Sequence, residues 1–246
     1  MAIKQESILS GKLGKEVHYP VKGVERVRTS PEHVNQPGTD TQKAHWGSFV
    51  DIVRLSSRMS DAAKIGMAYP ARRKKSFPYL LFRSINKDCF TPEGNIDYPR
   101  VIISLGTVAR VDITSVKIQT IDESYRRAVT ITFDPCLQSS NANPDDELYL
   151  FAYCPSHCEG VLYEPVPRIA STHTAILPAG WFLSEPSANI VEPSNNQEVD
   201  IHLYAFLRCP GPTADTPPNA RASARNRRGQ TSTTIYIPLS HPLCPM

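Results

Sequence analysis

Hydrophobic and polar positions change their spacing along this chain, and the change divides it into a helical stretch and long β stretches. At the start, Ile3 to Leu9, Val17 to Val21 and Val24 to Val27 are short β-branched or apolar runs. Gly11, Gly14 and Gly23 punctuate them, which predicts a hairpin or meander, with Gly11-Lys-Leu-Gly14 as a turn. Pro31, Pro37 and Gly38 exclude a helix before about residue 39. Thr39, Asp40 and Thr41 are N-cap residue types. Trp46, Phe49, Val50 and Val53 then follow at i, i+3, i+4 and i+7, one face of an amphipathic helix. That face reads either as a docking surface for a partner or as a face buried on its own domain. The second reading is favoured, so Trp46 is expected to be buried. The helical pattern continues to residue 69, with breaks near Ser56-Ser57 and at Gly66, and Pro70 is expected to stop it. A second helix is predicted over residues 77–90, with Pro78 in its first turn and Leu81, Phe82, Ile85 and Cys89 on its apolar face.

From Tyr98 the period shortens to two. VIISLGTV, VDITSVKIQTI, RRAVTITFDP, ELYLFAYCP, PRIASTHTAILPAGW, VDIHLYAFLRCP and TTIYIPL read as six or seven short strands separated by turn signals. The expected fold class is therefore α+β and mainly β: N-terminal strands plus two helices over residues 1–95, then an antiparallel, immunoglobulin-like β-sandwich over 96–246. Between the last two strands lies Pro210 to Thr231, a low-complexity insertion carrying Arg221, Arg225, Arg227 and Arg228. It holds too little apolar surface to order itself and is expected to be disordered.

Composition adds limits. With 40% hydrophobic and 21% charged residues, the 246-residue chain is expected to fold around a core. Its 22 prolines against 12 glycines suit strand edges and turns better than a helical bundle. A net charge of +3 does not by itself imply nucleic acid. The basic residues are nonetheless grouped. Lys4, Lys12, Lys15, Lys22, Arg26 and Arg28 make the N-terminal arm basic, and Arg72, Arg73, Lys74 and Lys75 form a run between the two helices. Each group is either a phosphate-contacting patch or a solvated face. No signal peptide or transmembrane-length apolar run is read, so a cytoplasmic chain, or one assembled into a particle, is expected. In that setting the six cysteines are expected to be free thiols.

Candidate chemistry is sparse. Cys154-Pro-Ser-His-Cys158 places three zinc-ligand types within five residues, but a structural site needs a fourth ligand, and no second cluster accompanies it. No zinc and no cofactor are expected there; the segment reads as a loop with two free thiols, a strained local disulfide being the lesser alternative. Asp145-Asp146-Glu147 follows Asn143-Pro144 and reads as a turn with a charged rim. No nucleophile elbow, zincin motif, phosphate-cradling loop or dinucleotide fingerprint occurs, so no catalytic residue is assigned.

Several short motifs together resemble an uncharacterised bacterial family, abundant in Bacteroidota. They are Ile8-Leu-Ser-Gly-Lys12-Leu-Gly-Lys15, Lys22-Gly23, Val27-Arg28-Thr-Ser-Pro31 and Asn35-Gln-Pro37-Gly-Thr39-Asp-Thr-Gln42. Further on, Asp145-Asp146, Leu150 to Pro155, Leu177-Pro178 to Trp181, His202-Leu-Tyr204 and Ser232 to Ile237 fit that family's sandwich strands. The chain departs from the pattern in the residue separating Asn35 from Pro37, in His45-Trp46, and in a longer last hairpin. The resemblance implies a fold and no activity. Similar helix-entry motifs in phage virion proteins lean towards assembly. Three functions stand open: a non-enzymatic structural or assembly protein, virion- or surface-associated, whose partners are copies of itself or other subunits; a nucleic-acid-associated module using the basic residues; and, with least support, an enzyme such as a hydrolase acting from the sandwich. The candidate interaction residues are Lys12, Lys15, Arg26, Arg28, Trp46, Phe49, Arg72, Arg73, Lys74 and Lys75.

Overall fold

The computed structural model describes residues 3–5, 8–21, 24–30, 38–91, 94–121, 127–182, 200–211 and 227–239. The Asn35-to-Pro37 motif, most of the arginine-bearing insertion and the tail from His241 lie outside the described residues. The chain forms two compact units, Met1–His45 and Trp46–Met246.

The first unit is an antiparallel meander of four strands in sequence order: β1 (Ile3–Gln5), β2 (Ile8–Leu13), β3 (Glu16–Val21) and β4 (Val24–Thr29). A two-residue turn joins β2 to β3, and Gly14 takes φ 62° at its first position. A type II′ turn needs glycine there. At the end of the unit, Thr39 and Gln42 form a capping box. The Gln42 amide donates to Thr39 Oγ1 at 3.3 Å, and the Thr39 amide donates to Gln42 Oε1 at 3.0 Å. This cap starts α1 (Asp40–Arg58) where the N-cap residue types predict.

The second unit has three layers. Its middle layer is a sheet in the order β12-β11-β7-β8, made of β7 (Glu147–Cys154), β8 (Glu159–Leu162), β11 (His202–Arg208) and β12 (Ile235–Ile237). The short β9 (Val166–Pro167) also pairs with β7. One face of this sheet packs on a three-stranded sheet, β10-β6-β5, formed by β5 (Asp112–Thr120), β6 (Arg127–Asp134) and β10 (Thr172–Leu177). Leu148, Leu150, Leu203, Ala205 and Leu207 meet Val129, Ile131, Phe133 and Leu177 in that core, with Trp181 beside them. The opposite face presents Tyr149, Phe151, Tyr153, Tyr204 and Phe206 to the helices α1, α2 (Ser60–Gly66), α3 (Ala68–Arg73) and α4 (Pro78–Ile85). The two cores explain why β7 and β11 are buried along almost their whole length. They also show that the change of period at Tyr98 marks a change of layer: helices and sheet share one core within a single compact unit.

Several expectations need correction. The buried face of α1 is Ile52 and Leu55, continued by Met59 just past its end, each at most 3% exposed. Trp46 is 57% exposed and Phe49 60% exposed, so the apolar stripe chosen from sequence begins on the wrong face. Replacing Trp46 with Ala should therefore shift a urea unfolding midpoint in dilute solution by less than about 0.5 kcal/mol equivalent. A loss of several kcal/mol would show that the ring is buried. Pro70 does not stop the helical region; it lies in the first turn of α3, where its missing N–H costs nothing. The helix predicted over 77–90 ends at Ile85, where the Asn86 side chain donates to the Phe82 and Ile102 carbonyls. VIISLGTV is not a ladder strand. It is held against residues 231–234 instead: the Ile103 and Ser104 amides donate to Thr234 Oγ1 at 2.9 and 2.8 Å, and the Val108 amide to the Thr231 carbonyl at 3.0 Å. Gly106 permits this approach, since a Cβ there would meet the Thr231 carbonyl.

Candidate functional site

Strand alternation and register sort the described side chains of β2, β3 and β4 into two faces of opposite chemistry. Directly paired residues of an antiparallel ladder point to the same side. Lys12 pairs with Val17, Val17 with Arg28, Tyr19 with Arg26, and Val21 with Val24. Lys12, Arg26 and Arg28 therefore share one face with Tyr19 and Val24. The register also pairs Leu13 with Glu16, His18 with Val27, Glu16 with Thr29, and Pro20 with Glu25. The second face therefore carries Glu16, Glu25 and His18 between Leu13 and Val27. On it, His18 Nδ1 lies 2.8 Å from Glu25 Oε1 and Nε2 lies 3.5 Å from Glu16 Oε2. Every residue of the edge strand β4 is exposed. Leu13, Val24 and Val27 are 56%, 62% and 51% exposed, and Tyr19 is exposed too. Three of the four N-terminal interaction candidates, Lys12, Arg26 and Arg28, thus converge on one surface. Lys15 lies in the β2–β3 turn.

The remaining candidates lie in the second unit or at its start. Trp46, Phe49 and Val50 project from α1, and Phe77, Tyr79 and Leu80 from the start of α4. The Phe77 and Tyr79 rings stack at 5.7 Å, and the Arg83 guanidinium lies over Tyr79 at 5.1 Å. Arg72, Arg73, Lys74 and Lys75 are all exposed at the end of α3, with the Arg72 guanidinium 5.8 Å from the Tyr69 ring centre.

The Cys154–Cys158 segment is the turn between β7 and β8. Cys154 is fully buried in the core between the two sheets. His157 Nδ1 lies 3.3 Å from its sulfur and 3.2 Å from Ser156 Oγ. Cys158 is exposed, has φ 54°, and donates its thiol to the Pro155 carbonyl. The two sulfurs thus sit in opposite environments. Among the described residues no group of three or more His, Cys, Asp or Glu is arranged to hold a metal ion.

Two polar arrangements escape a linear reading. Asp146, read from sequence as a charged rim, is fully buried beside the fully buried Arg168 at 3.4 Å and beside Arg227 at 3.2 Å. Arg168 also donates to the carbonyls of Ala109, Pro135 and Arg110. Burial pushes the Arg168 guanidinium pKa down and Asp146 opposes that shift, so the carboxylate is what keeps the cation viable there. Arg227 stands at the end of the arginine-bearing insertion, and this contact ties that end to the sandwich.

The second arrangement surrounds His202 at the start of β11. Its ring stacks on Tyr98 at 4.1 Å, and its Nδ1 lies 3.0 Å from the Tyr236 hydroxyl. Its Nε2 is 3.2 Å from Asp200 Oδ2 without hydrogen-bond alignment. The Tyr98 ring also lies 5.6 Å from that of Tyr153. Burial lowers the His202 pKa more than Asp200 raises it, and burial likewise lowers that of His173. Both rings are therefore held neutral in the fold. The unfolded chain takes up protons first as pH falls below about 6.5, so stability should drop from there towards about pH 5. His202→Phe or His173→Phe should flatten part of that slope, measured by urea unfolding across this range; an unchanged slope in both would contradict the assignment. In the sequence, the alternation of His202, Tyr204 and Phe206 with Ile201, Leu203 and Ala205 is the signal for the side of the strand this histidine takes.

Residues 8–190 match the Family of unknown function (DUF6266). The chain belongs to DUF6266. The match takes in the N-terminal sheet from β2 onward, the helical layer and the sandwich as far as β10, so both units are part of what the family shares. No curated protein and no solved structure matches the chain. Among the described residues no helix is long and apolar enough to cross a membrane.

Proposed function

We propose that this DUF6266 chain is a non-enzymatic assembly protein that packs through its N-terminal unit and leaves the sandwich unit for display, on a virion or a cell surface. The observation that carries this reading is the four-stranded sheet. Among its described residues the whole β4 edge is exposed, and each face leaves large apolar side chains in water, Tyr19 and Val24 on one and Leu13 and Val27 on the other. A small sheet without a covered hydrophobic face is marginal on its own, and an open edge invites pairing. The partners proposed are further copies of this chain. Light scattering on the full chain should give a mass that rises with concentration, and Leu13→Lys with Val27→Lys should return it to the monomer. A monomer at every concentration overturns the reading.

A second reading, nucleic-acid binding, draws on Lys12, Arg26 and Arg28 sharing a face with Tyr19, a cationic surface with a ring for stacking. Binding of a single-stranded oligonucleotide would then weaken steeply with salt and be lost in Arg26→Glu. We further propose a Bacteroidota origin, on the motif resemblance, and an immunoglobulin-like sandwich. Support for the latter is the strand order: the first, second and sixth sandwich strands (β5, β6, β10) make one sheet, and the third, fourth, seventh and eighth (β7, β8, β11, β12) the other.

A further inference from the structure

We infer that copies of this chain associate head to tail through the two faces of the N-terminal sheet, the basic face of one sheet lying on the acidic face of the next. This rests on the assembly reading above and specifies its geometry. Three symmetric alternatives are disfavoured by charge. Two β4 edges paired antiparallel about a twofold axis keep each face continuous, so residues pair in registers whose numbers sum to an even value. The two central registers oppose Arg26 to itself, or Arg26 to Arg28, and like charges directly opposed in a ladder destabilise it. Stacking the basic face on its own copy sets Lys12, Arg26 and Arg28 against the same cations. Stacking the acidic face on its own copy sets Glu16 and Glu25 against each other. Among the described side chains only the unlike pairing brings cations to carboxylates, and it also covers Tyr19 and Val24 with Leu13 and Val27. A contact between two different surfaces of one chain is heterologous, and it propagates into a ring or a filament. A nucleic acid would use the basic face alone and leave Leu13 and Val27 in water, which is why a second copy fits the sheet better.

The test is a charge swap in the full chain. One variant carries Glu16→Lys with Glu25→Lys, the other Arg26→Glu with Arg28→Glu. Mass is measured by light scattering at about 0.05 M and about 1 M salt, since exposed charge pairs are screened at the higher value. The native chain should be at least about twofold heavier at low salt than at high salt, as a propagating heterologous contact requires. Each variant alone should be monomeric at low salt, and an equimolar mixture should regain mass, which also shows that both variants are folded. If the native chain assembles but the variants keep its mass, or the mixture regains none, the face-to-face contact is wrong while the assembly reading stands. Assembly insensitive to salt likewise overturns the face-to-face contact and leaves the assembly reading standing. If the native chain is monomeric at both salt concentrations, both fall, and retention of a single-stranded oligonucleotide by that monomer would assign the basic face to nucleic acid.

Discussion

Arg168→Ala should cost about 3–5 kcal/mol of folding stability, the range for removing one partner of a buried ion pair. Arg168 and Asp146 are both fully buried, so the substitution leaves a carboxylate inside the protein with only Arg227 as cation. It also strips the donor from the carbonyls of Ala109, Pro135 and Arg110. Arg168→Lys should recover little, because one ammonium cannot reproduce a planar fork that reaches several acceptors at once. Arg227→Ala should cost less than Arg168→Ala: its side chain is 19% exposed, and Asp146 retains Arg168 and the Asn143 amide. Urea unfolding with unchanged slope provides the measurement. A loss below about 1 kcal/mol for Arg168→Ala would mean that the pair is solvated.

Trp181→Ala should be comparably damaging, at about 3–5 kcal/mol for a buried aromatic truncation. Its ring is 1% exposed in the core between the two sheets, and its Nε1 donates to Glu159 Oε2 at 2.7 Å. Trp181→Phe keeps most of the volume and loses the hydrogen bond, so it should retain more than half of the lost stability. Equal losses for Ala and Phe would place the energy in the Glu159 contact instead of the packing. The contrast with Trp46 is the useful comparison: the chain has two tryptophans, and the structure assigns one to the core and the other to the surface.

Why one tryptophan was misplaced is a question of register. Trp46, Phe49, Val50 and Val53 have the right spacing for a buried stripe, and so do Ile52, Leu55 and Met59. The periodicity cannot choose between two apolar stripes on one helix; the choice is made by Phe151, Tyr204 and the other aromatic residues that the helix meets in the shared core. The strands from Asp112 onward were legible because alternation survives even where both faces are buried, as in His202 to Phe206. The extended segment 101–108 read as a strand for the same reason, yet its amides are taken by Thr234 and Thr231, which lie over a hundred residues away in sequence. Asp146 looked like a solvated turn because neither Arg168 nor Arg227 is near it in the chain. The basic character of the N-terminal strands was visible at once. That Lys12, Arg26 and Arg28 share a face opposite Glu16 and Glu25 follows only once the register is known.

The central claim is that the N-terminal sheet is covered in the working protein by further copies of the chain. Amide hydrogen exchange across a concentration series reads this directly, because protection reports the opening of individual backbone segments. The account predicts that protection in residues 8–29 grows with concentration and falls again in high salt, while β7, already buried on both faces, stays unchanged. Exchange in residues 8–29 that is fast and independent of concentration would contradict it, as would concentration-dependent protection confined to the second unit.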